Sequence, residues 1–214
     1  MTRFLEYTTR HYDKLIEALL EHLQMVGVTL VISIVLALVI SLCIMDRKRI
    51  SSWVMRVCSM IYAIPSLALF ALLIPLTGLG SSTAIVVLVI YNQYILVRSF
   101  TEGLQLVDAG IREAAVGMGM TKWQVFIKVR FPLALDAMVA GIHIAVISTI
   151  GIATIGATIG AGGLGSILFD GMRTQNGVKI VWGTVLSVVL VLAVNGLLKL
   201  AEKKIKKGIY HMET

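Results

Sequence analysis

Charge is what this chain has least of. Only 14% of its 214 residues are charged, against roughly 25% in an ordinary soluble domain, and 57% are apolar, against roughly 45–50%. That balance excludes a disordered chain and argues against a soluble enzyme. Cysteine is scarce as well. Cys43 and Cys58 make no CxxC pair and no metal-ligand spacing, so no metal site is expected, and their apolar surroundings point to buried thiols. No GxxxxGK[ST] phosphate loop occurs, so ATP is not expected on this polypeptide. No HExxH, Ser/His or paired-aspartate arrangement supports intramembrane hydrolysis. A cleavable signal peptide is not indicated, because the first apolar run is too long and starts too late.

What the chain does have is long apolar runs. About 20 apolar residues cross roughly 30 Å of hydrocarbon. Residues 26–45 qualify without a charge, and 54–74 follow with Arg56 near one end and Pro65 inside. The run 82–97 is shorter and carries Asn92 and Gln93. Residues 133–159 include Asp136 and His143, and 180–198 close the set. The expected fold is an all-α polytopic membrane protein with about five transmembrane helices.

Orientation follows from lysine and arginine. Segments 47–56, 98–130 and 199–207 hold 14 of the 19 basic residues. Placing them inside gives an extracellular segment over 1–25, a cytoplasmic loop over 98–132 and a basic cytoplasmic tail over 199–214. The N-terminus is then outside and the C-terminus cytoplasmic. The net charge of +7 reads as membrane topology, with no nucleic-acid footprint.

The loop 98–132 is more than polar filler. Ile111, Ala114, Ala115 and Met118 fall at i, i+3, i+4 and i+7, one apolar stripe of a helix. Asp108 suits its N-cap, and Gly117 and Gly119 suit its end. Thr121 and Gln124 then make a capping box, with Met120 and Val125 placed for a hydrophobic staple. Trp123, Phe126 and Ile127 supply an apolar face, and Pro132 is expected to halt this second helix. Two amphipathic helices on a glycine turn fit an interfacial pair lying on the bilayer or a docking element for a cytoplasmic partner. A DNA-reading helix-turn-helix is disfavoured by the membrane tether at both ends.

These residues carry a resemblance. Glu113-Ala114-Ala115, three residues, Gly119, nine residues, then Val129-Arg130-Phe131-Pro132 is similar to the EAA loop of ABC importer permeases. The family pattern is EAA, three residues, G, nine residues, I, any residue, L, P. Val129 and Phe131 replace Ile and Leu, both apolar for apolar. The resemblance implies the type I importer permease fold, in a bacterial cell membrane. It implies that Glu113, Ala114, Ala115, Gly119, Val129, Phe131 and Pro132 couple the spans to a dimer of a separate cytoplasmic ABC ATPase. ATP and Mg would sit on that subunit, with no cofactor here. It further implies a second permease, identical or similar, and an extracellular substrate-binding protein. The stretches 64–80 and 150–171 resemble permeases for osmoprotectants such as glycine betaine, carnitine and choline. Permeases for methionine or polar amino acids share the fold and the loop. A channel or ion-driven transporter would call for mid-membrane carboxylates or paired inverted repeats, and neither is visible.

Residues 160–165 also satisfy GxGxxG. They lie at the end of a span with no βαβ context, so the expected role is structural: close packing through Gly151, Gly156 and Gly160, and a helix break at Gly162, Gly163 and Gly165, with a glycine-broken helix that lines the pathway as the alternative. Ionisable and polar groups within spans are the candidates for a substrate pathway, namely His143, Tyr91, Asn92 and Gln93. His143 equally suits a hydrogen bond to a neighbouring helix, and Asn195 and Ser148–Thr149 suit interhelical bonds. An aromatic cage for a quaternary ammonium is not apparent, since tyrosine and tryptophan are not clustered along the sequence. Selectivity is therefore expected to reside in the binding protein.

Overall fold

The computed structural model describes residues 2–210, with side chains from 6 to 204. Among the described residues every regular element is helical. The first, α1 (Thr2–Ile44), is one long helix with a local break at His11, where φ is −134° and ψ is 19°. Residues 2–25, read above as a segment ahead of the first span, are thus the leading half of the same helix. Their own stripe of Leu15, Ala18, His22 and Met25 is buried in the fold.

Farther along α1, Thr29, Ser33, Ala37 and Ser41 recur every four residues, all fully buried. Small side chains let two backbones approach closely, which suits association in lipid, where packing and hydrogen bonds drive assembly. The helix they face is α4 (Ser81–Gln105), the central element, which packs on α1, α7 (Phe131–Gly156), α2 (Lys48–Tyr62) and α3 (Ser66–Thr77). Because α4 is surrounded, apolar and polar side chains alike are buried along it. Leu88, Leu96, Phe100 and Leu104 anchor its apolar contacts.

The run 54–74 is not one straight helix. It is divided between α2 and α3, which meet at 96°. Pro65 has no N–H to donate and disfavours helix at Ile64. The Ile64 carbonyl that the break exposes is taken by the Tyr91 hydroxyl from α4. The other long apolar helices are Glu6–Ile44, Ser81–Gln105, Lys122–Ile159 and Gly177–Lys204, with α2–α3 a fifth span if the bent pair crosses as one.

Pro132 does not end a helix. The short α6 (Lys122–Val125) passes through a π-helical turn at Phe126–Arg130 directly into α7, with Pro132 in its first turn. The path is helical on both sides of this proline, and its missing N–H falls just after the π turn, in which the Phe131 N–H reaches back to the Phe126 carbonyl. After a 3-10 turn (Ala157–Ile159) and a glycine-rich corner come α8 (Leu164–Arg173) and α9 (Gly177–Tyr210). The remaining helix, α5 (Ala109–Gly117), stands on the loop between α4 and α6. The cysteines are not buried as expected: Cys43 is exposed and Cys58 half-buried, both on helices whose outer faces are apolar.

Candidate functional site

The loop folds as two capped helices. Asp108 accepts from the Gly110 N–H at 2.6 Å, starting α5. Gly119, at φ +82°, turns the chain in the left-handed region that favours glycine. Its N–H donates to the Val116 carbonyl, and that of Met120 to Ala115, so these two carbonyls of the last turn of α5 are satisfied. The capping box at α6 is complete: the Gln124 N–H donates to Thr121 Oγ1 at 3.3 Å, and the Thr121 N–H to Gln124 Oε1 at 2.8 Å.

The stripe on α5 points mostly outward. Ala115 is buried at its root, but Ile111 is 48% and Met118 73% exposed, with Ala114 and Glu113 also at the surface. Trp123 on α6 is 65% exposed. Its ring stacks on Phe126 with centroids 5.5 Å apart, and Phe126 meets Phe131 at 6.1 Å. Phe126 and Phe131 pack with Leu96, Phe100 and Leu104 of α4. An exposed aromatic is thereby joined to the bundle interior. Val129 and Pro132 are half-buried beside it.

Arg130, within the same motif, was counted above only as a topology charge. It is buried. Its Nη1 donates to Asp46 Oδ1 at 2.7 Å, and its Nη2 and Nε to the Leu104 carbonyl at 3.1 and 3.3 Å. One guanidinium thus joins the α1–α2 turn, the end of α4 and the root of α7. Its signal in sequence was slight: an arginine next to Pro132, with a partner 84 positions away.

The four pathway candidates do not come together. Asn92 Nδ2 donates to Thr149 Oγ1 at 2.8 Å and to Ser33 Oγ at 3.3 Å, tying α4 to α7 and α1. Gln93 Nε2 donates to the Val89 carbonyl at 3.1 Å, and Tyr91 bonds Ile64. All three are buried inside the chain. His143 lies apart from them, its Nδ1 3.0 Å from Asn195 Oδ1 and its Nε2 3.5 Å from Glu202 Oε2, both on α9. The sequence also hid an aromatic cluster. Tyr62 on α2 lies 5.5 Å from Tyr91 and 4.8 Å from Tyr94, ring centre to centre, although the sequence separates it from both by a whole helix.

The glycine-rich corner is structural, and its close packing is selective. A Cβ at Gly156 would touch Ala84 and Ala161 at 3.4 Å, whereas Gly151 and Gly160 meet nothing within 4 Å. At Gly165 a Cβ would collide with the Thr154 carbonyl. The Gly163 N–H donates to Glu21 Oε2 at 2.8 Å, so this corner is seated on α1. Next to it, Asp170 accepts from Lys179 at 2.6 Å and Arg173 at 3.0 Å. Those hydrogen bonds, that from Lys179 foremost, hold its carboxyl below the usual carboxylate range.

A bundle of long apolar helices, with a capped helix pair presenting apolar side chains outside its own core, defines a polytopic membrane protein. Residues 25–207 match the binding-protein-dependent transport system inner membrane component family, and the chain belongs to it. It is a multi-pass inner-membrane permease of the ABC importer class. Among curated proteins it is 33% identical to the carnitine transport permease protein OpuCD of Listeria monocytogenes over 85% of this chain and 81% of that one. It is 38% identical to the glycine betaine/carnitine/choline transport system permease protein OpuCD of Bacillus subtilis, over 75% and 72% respectively. Among solved structures, a chain of the inward-facing MetNI methionine ABC transporter superposes with a TM-score of 0.80 at 25% identity, covering 94% of this chain and 98% of that one.

Proposed function

We propose that this chain is the membrane-spanning subunit of an ATP-driven importer for osmoprotectants such as glycine betaine, carnitine or choline. The observation that carries the coupling is the outward-facing surface of α5 and α6, on which Glu113, Ala114, Met118 and Trp123 are exposed. A separate ATPase dimer, holding ATP and Mg, receives α5 on the cytoplasmic side. Ala114 permits close approach, Ala115 roots α5 in the fold, Glu113 offers a charge to the partner and Gly119 sets the turn. Val129, Phe131 and Pro132 form the stiff base through which movement enters α7. Two such permeases, alike or similar, enclose the pathway, and an extracellular binding protein delivers the cargo. The N-terminus lies outside and the C-terminal tail in the cytoplasm. The substrate class rests on the named osmoprotectant relatives; methionine is the second reading, favoured by the MetNI superposition. Asn92, Gln93 and Tyr91 serve as bonds between helices, and His143 joins α7 to α9 near the inner end of the pathway.

The experiment is purification of the tagged chain from its native membrane in gentle detergent, with its binding protein added for uptake in proteoliposomes. The expected outcome is co-purification of a P-loop ATPase, its loss in Glu113→Arg, and uptake of labelled betaine, carnitine or choline. A wild-type chain that comes down alone refutes the coupling. Uptake of methionine in place of these compounds refutes the substrate class.

A further inference from the structure

On the side of the bundle that carries α5 there is a cavity of about 840 Å³, between the α1–α2 turn and the start of α5. Arg47, Lys48, Arg49 and Arg112 line it, with Arg130 at its wall. Two carboxylates, Asp46 and Asp108, also border it, and both are engaged: Asp46 with Arg130, Asp108 as the cap of α5. Among the described residues, none of the four remaining cations pairs with a carboxylate. The Arg112 Nε–H is closed off from solvent, and among the described residues no acceptor meets it to offset its desolvation. The first turn of α2 opens into the same cavity with no side chain capping it, so its N–H groups add to the positive field.

We propose that this cavity is a binding site for a phosphate group, held by Arg47, Lys48, Arg49 and Arg112. Arginine forks match phosphate oxygens two at a time, and an anion here gives the Arg112 Nε–H its missing acceptor. The surroundings fit a phospholipid headgroup. Ile50 and Leu106 stand exposed in the cavity lining, and farther along α2 the exposed Trp53 has Arg56 5.9 Å over its ring, a pairing suited to the membrane–water boundary. Basic clusters just beyond spanning helices attract anionic lipid headgroups. An anion bridging Arg47–Arg49 and Arg112 braces the start of α5 against the ends of α1 and α4. The assignment of this face to the inner leaflet rests on the transporter reading, whereas headgroup binding is measured on the protein whether or not it transports.

The test is native mass spectrometry of the purified transporter complex, titrated with phosphatidylglycerol, with phosphatidylcholine and with inorganic phosphate. Wild type is expected to retain phosphatidylglycerol at about tenfold lower concentration than phosphatidylcholine, and Arg49→Gln/Arg112→Gln to lose that preference. Arg47→Gln/Arg49→Gln, which alters only exposed side chains, gives the same readout should the Arg112 variant fail to fold. Displacement of the lipid by millimolar inorganic phosphate supports the site with free phosphate as an occupant; resistance to it supports the headgroup. Equal binding of the two lipids by wild type, or an unchanged preference in both variants, overturns the proposal. So does loss of the ATPase subunit from the variants with lipid preference intact, which assigns these cations to the protein interface.

Discussion

Replacing Arg130 with methionine tests the idea that one side chain holds the base of the loop to the bundle. Its side chain is 7% exposed while that of its partner Asp46 is 63% exposed, so the two ends of the interaction are unequal. Freed Asp46, already mostly in water, is resolvated, so its loss of the arginine costs about 0–1 kcal/mol. The Leu104 carbonyl has no such escape. It sits in the last turn of α4, where carbonyls lack intrahelical donors, and Leu104 is fully buried. Leaving it unsatisfied costs about 1–3 kcal/mol. Methionine fills most of the volume and removes the desolvation cost of the guanidinium, so the net loss is about 2 kcal/mol. On the scale of soluble domains of this length that lowers the unfolding midpoint by about 4–8 °C. The assay is thermal unfolding of the purified protein followed by intrinsic tryptophan fluorescence, with Asp46→Asn alongside. Asp46→Asn is expected to shift the midpoint by less than half as much. An Arg130→Met protein that melts with wild type refutes the argument. Equal shifts in the two variants refute the assignment of the energy to the Leu104 carbonyl.

Three further outcomes follow from the same geometry. Gly165→Ala drives a methyl into the Thr154 carbonyl and is expected to cost more than about 2 kcal/mol, read as loss of monodisperse protein, whereas Gly27→Ala, with nothing within 4 Å, leaves the yield unchanged. Gly119 has open space around it and a positive φ, so its constraint is backbone conformation: Gly119→Asn retains ATPase association and Gly119→Val loses it, and equal behaviour in the pull-down excludes that cause. Asp170 has a folded pKa below its unfolded value, so its contribution to stability is present above about pH 4 and lost as pH falls through the lowered pKa. The gap in melting temperature between wild type and Asp170→Asn is therefore expected at neutral pH and to close in acid; a gap independent of pH contradicts the linkage.

The apolar runs were legible because hydropathy is a sum over some twenty residues and tolerates local error. The loop was legible for another reason: caps and stripes are local patterns, and both the Asp108 cap and the Thr121–Gln124 box form as spaced. What the sequence did not display was whatever depends on a distant partner. Asn92 in an apolar run looks the same whether it faces a channel or a neighbouring helix, and its bonding partners Ser33 and Thr149 lie 59 and 57 residues away. Tyr62 joins Tyr91 only because α2 folds back along α4. The two prolines misled in opposite directions. Pro65 was read as lying inside one span and stands at a 96° bend, while Pro132 was read as a stop and lies within a continuous helical path, just after its π turn. Residues 2–25 carried a usable signal, since Leu15, Ala18, His22 and Met25 already share one helical face, but their charged neighbours made the segment look detached.

The connections at the loop differ in stiffness, and that difference bears on how the proposed coupling works. On one side α5 meets α6 through Gly119, whose left-handed conformation is set by a turn with nothing packed around it. On the other side, Lys122–Ile159 is a continuous helical path of 38 residues, so α6 has no hinge before the bundle. Its π turn places Phe126 in the interior and Arg130 against Leu104 and Asp46 within one segment. A push on Trp123 therefore reaches α7 as rotation or tilt of a rigid rod, because the aromatic stack from Trp123 to Phe131 leaves it no soft joint. The same push on α5 is free to dissipate at Gly119 unless its start is also held. The cap at Asp108 and the cation-lined cavity behind it lie at that start, which is where a bound anion would convert a pivoting helix into a braced one.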